Sequence, residues 1–328
     1  MTTPYSWGGE CAVELFFVLL LGLLFGGYLI LDGFDIGSGM LVRPLGRTEW
    51  ERRAMITSFG PFLLGNEVWL VATAGILFGA FPVLEGEVLG ELRTLLWPLL
   101  VIWLLRDIAV WSRSRLPGAR WRGFWDTTLA VVSVLFAAGW GVVIAGLMVR
   151  LSGAADPAYG WFALLWAVTM VAVFAGHGAV FLTARLPQVP AAAVAATARR
   201  LLLAGAALLA VAAVATAFAG VLPQRAGVPA AALLAGIAAA AAPLVARVLL
   251  GRGRPALALT ATAASVAGPL LMVAAAGWTT VYDSTADTAS LAALGGITLA
   301  AIPVIVLAQA WMWWVFRRRV DERSVVFF

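Results

Sequence analysis

Long apolar runs separated by short polar segments extend over this sequence from one end to the other. Each run is about 20 residues long, the length that a helix needs to cross roughly 30 Å of hydrocarbon. Hydropathy, charge and helix-breaking residues together predict about nine spans. They cover residues 11–31, 58–82, 92–112, 125–149, 160–184, 200–222, 229–250, 256–277 and 290–316. We therefore predict an all-α, polytopic membrane protein in which residues 1–328 form a single transmembrane domain.

The positions of the basic residues give this arrangement an orientation. All 22 basic residues are arginines, and all but Arg93, Arg150 and Arg225 are assigned to segments that follow odd-numbered spans. Because arginine-rich short loops stay on the cytoplasmic side during insertion, this alternation requires an odd number of spans. We expect a multi-pass protein of the bacterial cytoplasmic (inner) membrane, with its N-terminus outside and its C-terminus in the cytoplasm.

The composition excludes several other classes of protein. A chain with 62% hydrophobic and 12% charged residues cannot form a water-soluble globule. The net charge of +5 does not indicate a nucleic-acid partner, because the arginines lie in short clusters between apolar segments. The single cysteine, Cys11, excludes an internal disulfide and any metal site built from several cysteines.

Two acids and three glycines lie at the end of the first predicted span. Asp32 and Asp35 are the acids, and Gly33, Gly37 and Gly39 surround them. Glycine tolerates backbone conformations that other residues avoid, and carboxylates are rare inside a membrane. The pattern predicts a tight, bent exit from the helix, with a capped turn at the membrane interface as the simpler alternative.

A second polar group interrupts the next apolar run. Asn66 and Glu67 lie early in the second predicted span, where an ionised carboxylate costs about 3 kcal/mol unless it is solvated or paired. Two interpretations stay open: a water-lined proton or subunit-interface site, and a structural hydrogen bond between helices. Trp69, two residues further on, is a further candidate for this route or interface, and we interpret it as packing against a partner helix rather than contacting a cofactor.

The remaining candidates favour structural roles. Arg106 and Asp107 are predicted to form a local ion pair, and Asp126 is predicted to cap the fourth span. His177 is the sole histidine and the obvious candidate for a haem ligand. One histidine cannot supply several haems, so we favour a hydrogen-bonded core histidine and predict no metal site.

At this point a family resemblance enters. The stretch Leu31-Asp32-Gly33-Phe34-Asp35-Ile36-Gly37-Ser38-Gly39-Met40-Leu41 closely resembles the signature of subunit II of the cytochrome bd-type quinol oxidases. Further segments match in order and spacing: 51–56 with Arg52 and Arg53, Gly60-Pro61, 65–70 with Gly65, 120–126 with Asp126, 177–179 with His177, and 282–284 with Asp283. Predicted spans six to eight match only in character.

The resemblance implies a fold and a function. The fold would be two four-helix bundles and one peripheral helix, and the chain would be the non-haem subunit of an enzyme that oxidises quinol and reduces dioxygen to water. Haems b and d are expected in the partner, subunit I, so this chain alone is not expected to be catalytic or to bind a cofactor. A bound quinone or lipid and a small single-helix accessory subunit are compatible with the resemblance.

The resemblance also assigns roles to particular residues. Asp32, Asp35 and Glu67 would line a proton route, and the glycine-rich and acidic residues of the first two spans would face subunit I. One position departs from the family, because Leu63-Leu64 stands where a Trp-Asp pair is common. Since that aspartate is usually assigned to a polar route, a bd-like assembly subunit without oxidase activity is one alternative. A secondary transporter whose midplane acids couple ions to a substrate is another.

Overall fold

The computed structural model describes residues 7–153, 159–218, 220–222 and 227–321. The helices are α1 (Trp7–Leu45), α2 (Glu49–Phe59), α3 (Leu63–Ala80), α4 (Pro82–Ser112), α5 (Ala119–Leu151), α6 (Tyr159–Arg185), α7 (Gln188–Phe218), α8 (Val228–Gly251), α9 (Pro255–Asp283) and α10 (Thr288–Val315). Helices α2 and α3 together form one candidate span, so the described residues contain 9 helices long and apolar enough to cross a membrane. The predicted all-α, polytopic class is confirmed.

The helices pack as two bundles with one additional helix. The first bundle consists of α1, the α2–α3 pair, α4 and α5, and the second consists of α6 to α9. Helix α10 packs against α3 and α1 at the edge of the first bundle. The bundles meet where α1 and α5 contact α6 and α9, so α1 belongs to the core of both halves.

Helix α1 does not bend at its glycines. It runs without interruption from Trp7 to Leu45, so the prediction of a bent exit after Asp32 is wrong. The glycines instead allow close packing within the chain. A methyl group on Gly37 would collide with the Phe174 carbonyl and the Gly178 backbone of α6. Small residues of this kind let helix backbones approach in a membrane, where apolar burial gives little driving force.

The other two glycines of this segment also face neighbouring helices of the same chain. A side chain on Gly33 would meet Phe174, and one on Gly39 would meet Ser133 of α5. The expectation that this glycine-rich surface faces a partner subunit is therefore wrong. Gly65 has a similar function on α3, because a side chain there would displace Met312 of α10.

Short polar motifs set the ends of several helices. Thr48 and Glu51 form a capping box that begins α2, with the Glu51 carboxylate accepting from the Thr48 N–H at 3.0 Å. Asp287 caps α10 by accepting from the N–H groups of Ala289 and Ser290. The Ser290 hydroxyl and these N–H groups lower the pKa of the exposed Asp287 carboxyl.

The close contact at Gly37 yields a stability prediction. We expect Gly37→Ala to destabilise the protein by about 1–3 kcal/mol, the usual cost of overpacking, because backbone atoms of α6 would have to move. The effect is measured as the midpoint of thermal unfolding of the purified complex, which should be lower for this variant. Gly22→Ala is the matched control on α1, since a methyl group there meets nothing within 4 Å. Equal midpoints for the two variants would contradict the prediction.

Candidate functional site

A buried arginine brings together acids from three helices. Arg106 of α4 is 1% exposed, and its Nη1 donates to both carboxylate oxygens of Asp32 at 2.8 and 2.9 Å. Its Nη2 donates to Oε1 of Glu67 at 2.6 Å, and its Nε lies 3.5 Å from Asp107. The predicted pair with Asp107 is therefore the longest of the three contacts. Assigning Arg106 to a loop was wrong.

The depth of this site follows from helix geometry. Asp32 precedes Arg43 by three turns of α1, which corresponds to about 16 Å along the helix axis. Since half of the hydrocarbon layer measures about 15 Å, the arginine and its acids lie near the middle of the membrane. An ionised group at that depth requires a partner of opposite charge, and Arg106 meets this requirement with its whole guanidinium fork.

The second acid of α1 belongs to a separate set of hydrogen bonds. Asp35 is 1% exposed, and its Oδ2 accepts from Nδ2 of Asn66 at 2.7 Å. The same nitrogen donates to the Leu31 carbonyl at 3.0 Å. Oδ1 of Asn66 accepts from Gln309 of α10 at 2.9 Å, and the Gln309 oxygen accepts from the Trp69 indole at 3.3 Å. The sequence provides no local signal for Gln309.

Aromatic side chains add to the hydrogen bonds around Arg106 and its acids. The Trp103 indole donates to Glu67 at 2.7 Å, and the Trp140 indole donates to the Tyr28 hydroxyl at 3.1 Å. Tyr28 also lies within electrostatic range of Asp32. The Arg106 guanidinium lies over the Phe136 ring, 5.2 Å from its centroid. We call Asp32, Asp35, Glu67, Arg106 and Asp107 the acid cluster.

The acid cluster has more carboxyl groups than balancing charges. Three carboxyl groups contact the one guanidinium, and a fourth, that of Asp35, lies one turn beyond Asp32 on α1. The side chains of Glu67 and Asp107 are only 8% and 18% exposed. Full ionisation would leave unbalanced negative charge in a low-dielectric site, which is costly. The arrangement is therefore chemically suited to holding and exchanging protons.

A second charged network lies nearer the arginine-rich side. Arg113 follows Arg106 by two turns of α4, about 10 Å along its axis. Its guanidinium pairs with Asp126 and lies 3.1 Å from Glu49. Asp126 also pairs with Arg52 at 2.9 Å. Because α5 begins at Ala119, Asp126 lies inside the helix, and the prediction that it caps this span is wrong.

His177 is buried and both of its ring nitrogens have partners. Nε2 lies 3.0 Å from the Ile30 carbonyl, and Nδ1 lies 2.7 Å from the Thr262 hydroxyl. A carbonyl oxygen can only accept, so Nε2 carries the proton and Nδ1 accepts. These contacts do not fit a haem ligand, which needs a free nitrogen facing the iron.

The other predicted residues lie at the margins of the site. Trp69 contacts Gln309, as packing against another helix requires. Arg53 is 3.8 Å from Glu49 at the arginine-rich side, and Asp283 is exposed at the end of α9. Sequence reasoning missed Tyr28 and Trp103, because in an apolar run these residues are indistinguishable from aromatic residues that only pack. An arginine within the apolar run around Arg106 was a detectable signal, since such a residue requires a nearby acid.

Comparison with known proteins identifies the family to which this sequence belongs. The sequence model of the family described as cytochrome bd terminal oxidase subunit II matches residues 13–316. The chain belongs to this family. It is 40% identical over 108 residues to cytochrome bd-I ubiquinol oxidase subunit 2 of Escherichia coli K12, covering 33% of this chain and 28% of that protein. It is 32% identical over 180 residues to cytochrome bd ubiquinol oxidase subunit 2 of Bacillus subtilis 168, covering 52% and 53%.

A solved structure supports the fold. A chain of the bd oxidase from Geobacillus thermodenitrificans superposes with a TM-score of 0.74 at 17% identity, covering 93% of this chain and 98% of that chain. The matched segments span about a quarter to a half of the two curated relatives. The predicted fold of two four-helix bundles and a peripheral helix is thus present in this member of the family.

The departure at Leu63-Leu64 lies outside the acid cluster. Leu63 is buried, whereas Leu64 is 56% exposed on the outer surface of α3. Neither residue replaces a member of the cluster. Of this pair, only Leu64 lies on the outer surface, and the internal carboxyl groups of the acid cluster stay in place.

The central role of Arg106 yields a second stability prediction. Arg106→Met should destabilise the subunit by about 3–5 kcal/mol, because it leaves Asp32 and Glu67 buried without their counter-charge. The yield of folded complex and its midpoint of thermal unfolding measure the effect. Arg115→Met, at an exposed position just beyond α4, is the control that should change neither. A fully stable Arg106→Met complex would show that the acids do not depend on this arginine.

Proposed function

We propose that this chain is the non-haem subunit of a terminal oxidase that oxidises quinol and reduces dioxygen to water. Its family membership and the names of its relatives, which are ubiquinol oxidase subunits, support this proposal. Subunit I would carry haems b and d. Quinol, lipid and a small single-helix subunit are the other proposed partners, and the N-terminus would lie outside with the C-terminus in the cytoplasm.

The observation that carries the mechanism is the excess of carboxyl groups around Arg106. Reduction of dioxygen to water consumes protons, and a buried site that exchanges protons near the membrane midplane can deliver them. Glu67 and Asp107 retain partial exposure at the surface of α3 and α4, while Asp32 and Asp35 are fully internal. We propose that protons pass through the acid cluster and leave it at this surface, where subunit I binds.

The structure gives less support to the alternatives. A transporter of the broken-helix type needs interrupted spans at corresponding places in its two halves. The first bundle has such a break, at Gly60–Phe62 between α2 and α3, whereas the described parts of α6 to α9 run without a matching one. The alternative of an inactive assembly subunit rested on Leu63-Leu64, and that pair lies outside the acid cluster.

The proposed complex has a direct test. We expect the chain, co-expressed with a subunit I of the family, to purify as one complex that shows the absorption bands of haems b and d. Quinol-dependent oxygen uptake should require both chains. Uptake by subunit I alone at the rate of the complex would contradict the proposal, and so would a pigment-free chain that takes up solute in liposomes.

The proton route predicts a specific loss in one variant. Glu67→Gln keeps the shape of the side chain but cannot exchange a proton, so oxygen uptake should fall by roughly tenfold or more. Glu87→Gln is the control at an exposed position on α4 and should retain full uptake. The measurement is quinol-driven oxygen consumption with proton uptake in the same preparation. Unchanged values for Glu67→Gln would remove this residue from the route.

A further inference from the structure

The hydrogen bonds that reach Asp35 all point in the same direction. They run from the Trp69 indole to Gln309, from Gln309 to Asn66, and from Asn66 to Asp35. An indole N–H can donate but cannot accept, so it must be the start of such a series. The side-chain amides of Gln309 and Asn66 each accept at their oxygen and donate from their nitrogen.

Two fixed ends determine the orientation of these amides independently. At one end, the Trp69 N–H requires the oxygen of Gln309, so the nitrogen of Gln309 faces Asn66. At the other end, the Leu31 carbonyl requires a donor, so the nitrogen of Asn66 faces α1 and its oxygen faces Gln309. Both ends demand the same arrangement. A reversed amide at either position would oppose two donors or two acceptors.

This arrangement distinguishes the two oxygens of the Asp35 carboxyl. Oδ2 accepts from Asn66, whereas Oδ1 is buried without a hydrogen-bond partner among the described residues. The charged carboxylate has a donor only at Oδ2, where Asn66 already occupies the oxygen, so Oδ1 is the oxygen left open to a proton. Oδ1 is therefore the atom at which Asp35 gains and loses its proton.

We propose that Gln309 of α10 is a positioning residue of the acid cluster, fixing the Asn66 amide so that Asp35 exchanges its proton at Oδ1. The inference rests on the proposed proton route and adds to it a residue on the peripheral helix. Gln309 is 8% exposed, although most of α10 is exposed, which fits a side chain inserted into the first bundle. Gly65 leaves the space through which α10 approaches α3.

The test compares variants of α10 in the intact complex. Gln309→Met preserves length and volume but can neither accept from Trp69 nor donate to Asn66. Without Gln309, only the Leu31 carbonyl orients the Asn66 amide, so its hydrogen bond to the charged form of Asp35 becomes weaker. We expect the alkaline limb of the pH profile of oxygen uptake to move upward by roughly one pH unit. The infrared carbonyl-stretching band assigned by its loss in Asp35→Asn should also change frequency.

Controls separate this inference from the proposed function. Leu307→Ala alters α10 at a 68% exposed position and should leave the pH profile and the infrared band unchanged. If Gln309→Met leaves both unchanged while Asp35→Asn removes the band and slows uptake, the positioning role is overturned and the proton route stands. If Asp35→Asn changes neither, the route through Asp35 fails.

A second variant tests the same inference if the Gln309→Met complex does not assemble. Should Gln309→Met not assemble, Trp69→Phe removes only the indole N–H that orients Gln309 and retains an aromatic side chain at that position. The same shifts of profile and band are then expected, in smaller measure. Their absence in a fully assembled Trp69→Phe complex would overturn the inference.

Discussion

The pairing of Arg106 with Asp32 and Glu67 is the interaction on which the first bundle depends. Its three charged groups come from α4, α1 and α3, so the bond geometry fixes the relative height of three helices. Apolar burial cannot do this in a membrane, since lipid competes for every apolar surface. Two hydrogen bonds to Asp32 and one to Glu67 leave little freedom for a helix to slide or rotate. The same arrangement is vulnerable, because loss of either partner leaves a buried charge uncompensated and destabilises the subunit.

The rest of the fold places that interaction in a protected setting. Close contact of Gly37 with Gly178 brings α1 against α6, and so the second bundle covers one side of the acid-bearing helix. The ring of Phe34 stacks on Phe181 at 4.2 Å, and Trp313 of α10 packs edge-on against Phe34. These aromatic contacts join the acid-bearing helix α1 to α6 and α10. The charged network of Arg113, Asp126 and Glu49 ties α4, α5 and α2 together at that boundary.

Sequence reasoning recovered the helices because hydropathy records them directly, and it identified Asp32, Asp35, Asn66 and Glu67 because polar residues are conspicuous in apolar runs. It failed where one residue type has two uses. Arginine marks loops in most of this chain, so Arg106 was counted as a boundary residue although it is buried. Glycine both breaks and packs helices, and only the presence of α6 beside Gly37 distinguishes the two. The partner of Asn66 lies 243 positions further along, beyond the reach of any local pattern.

That long separation has a consequence for biogenesis. Spans enter the membrane in the order of synthesis, so Asn66 and Trp69 are in place long before the helix that carries Gln309 has been made. Until α10 is inserted, the oxygen of the Asn66 amide and the indole N–H of Trp69 lack their hydrogen-bond partners. A polypeptide that stops before α10 therefore keeps these two polar groups unsatisfied, which is costly inside a membrane. Docking of α10 thus satisfies polar groups of α3 that were inserted much earlier.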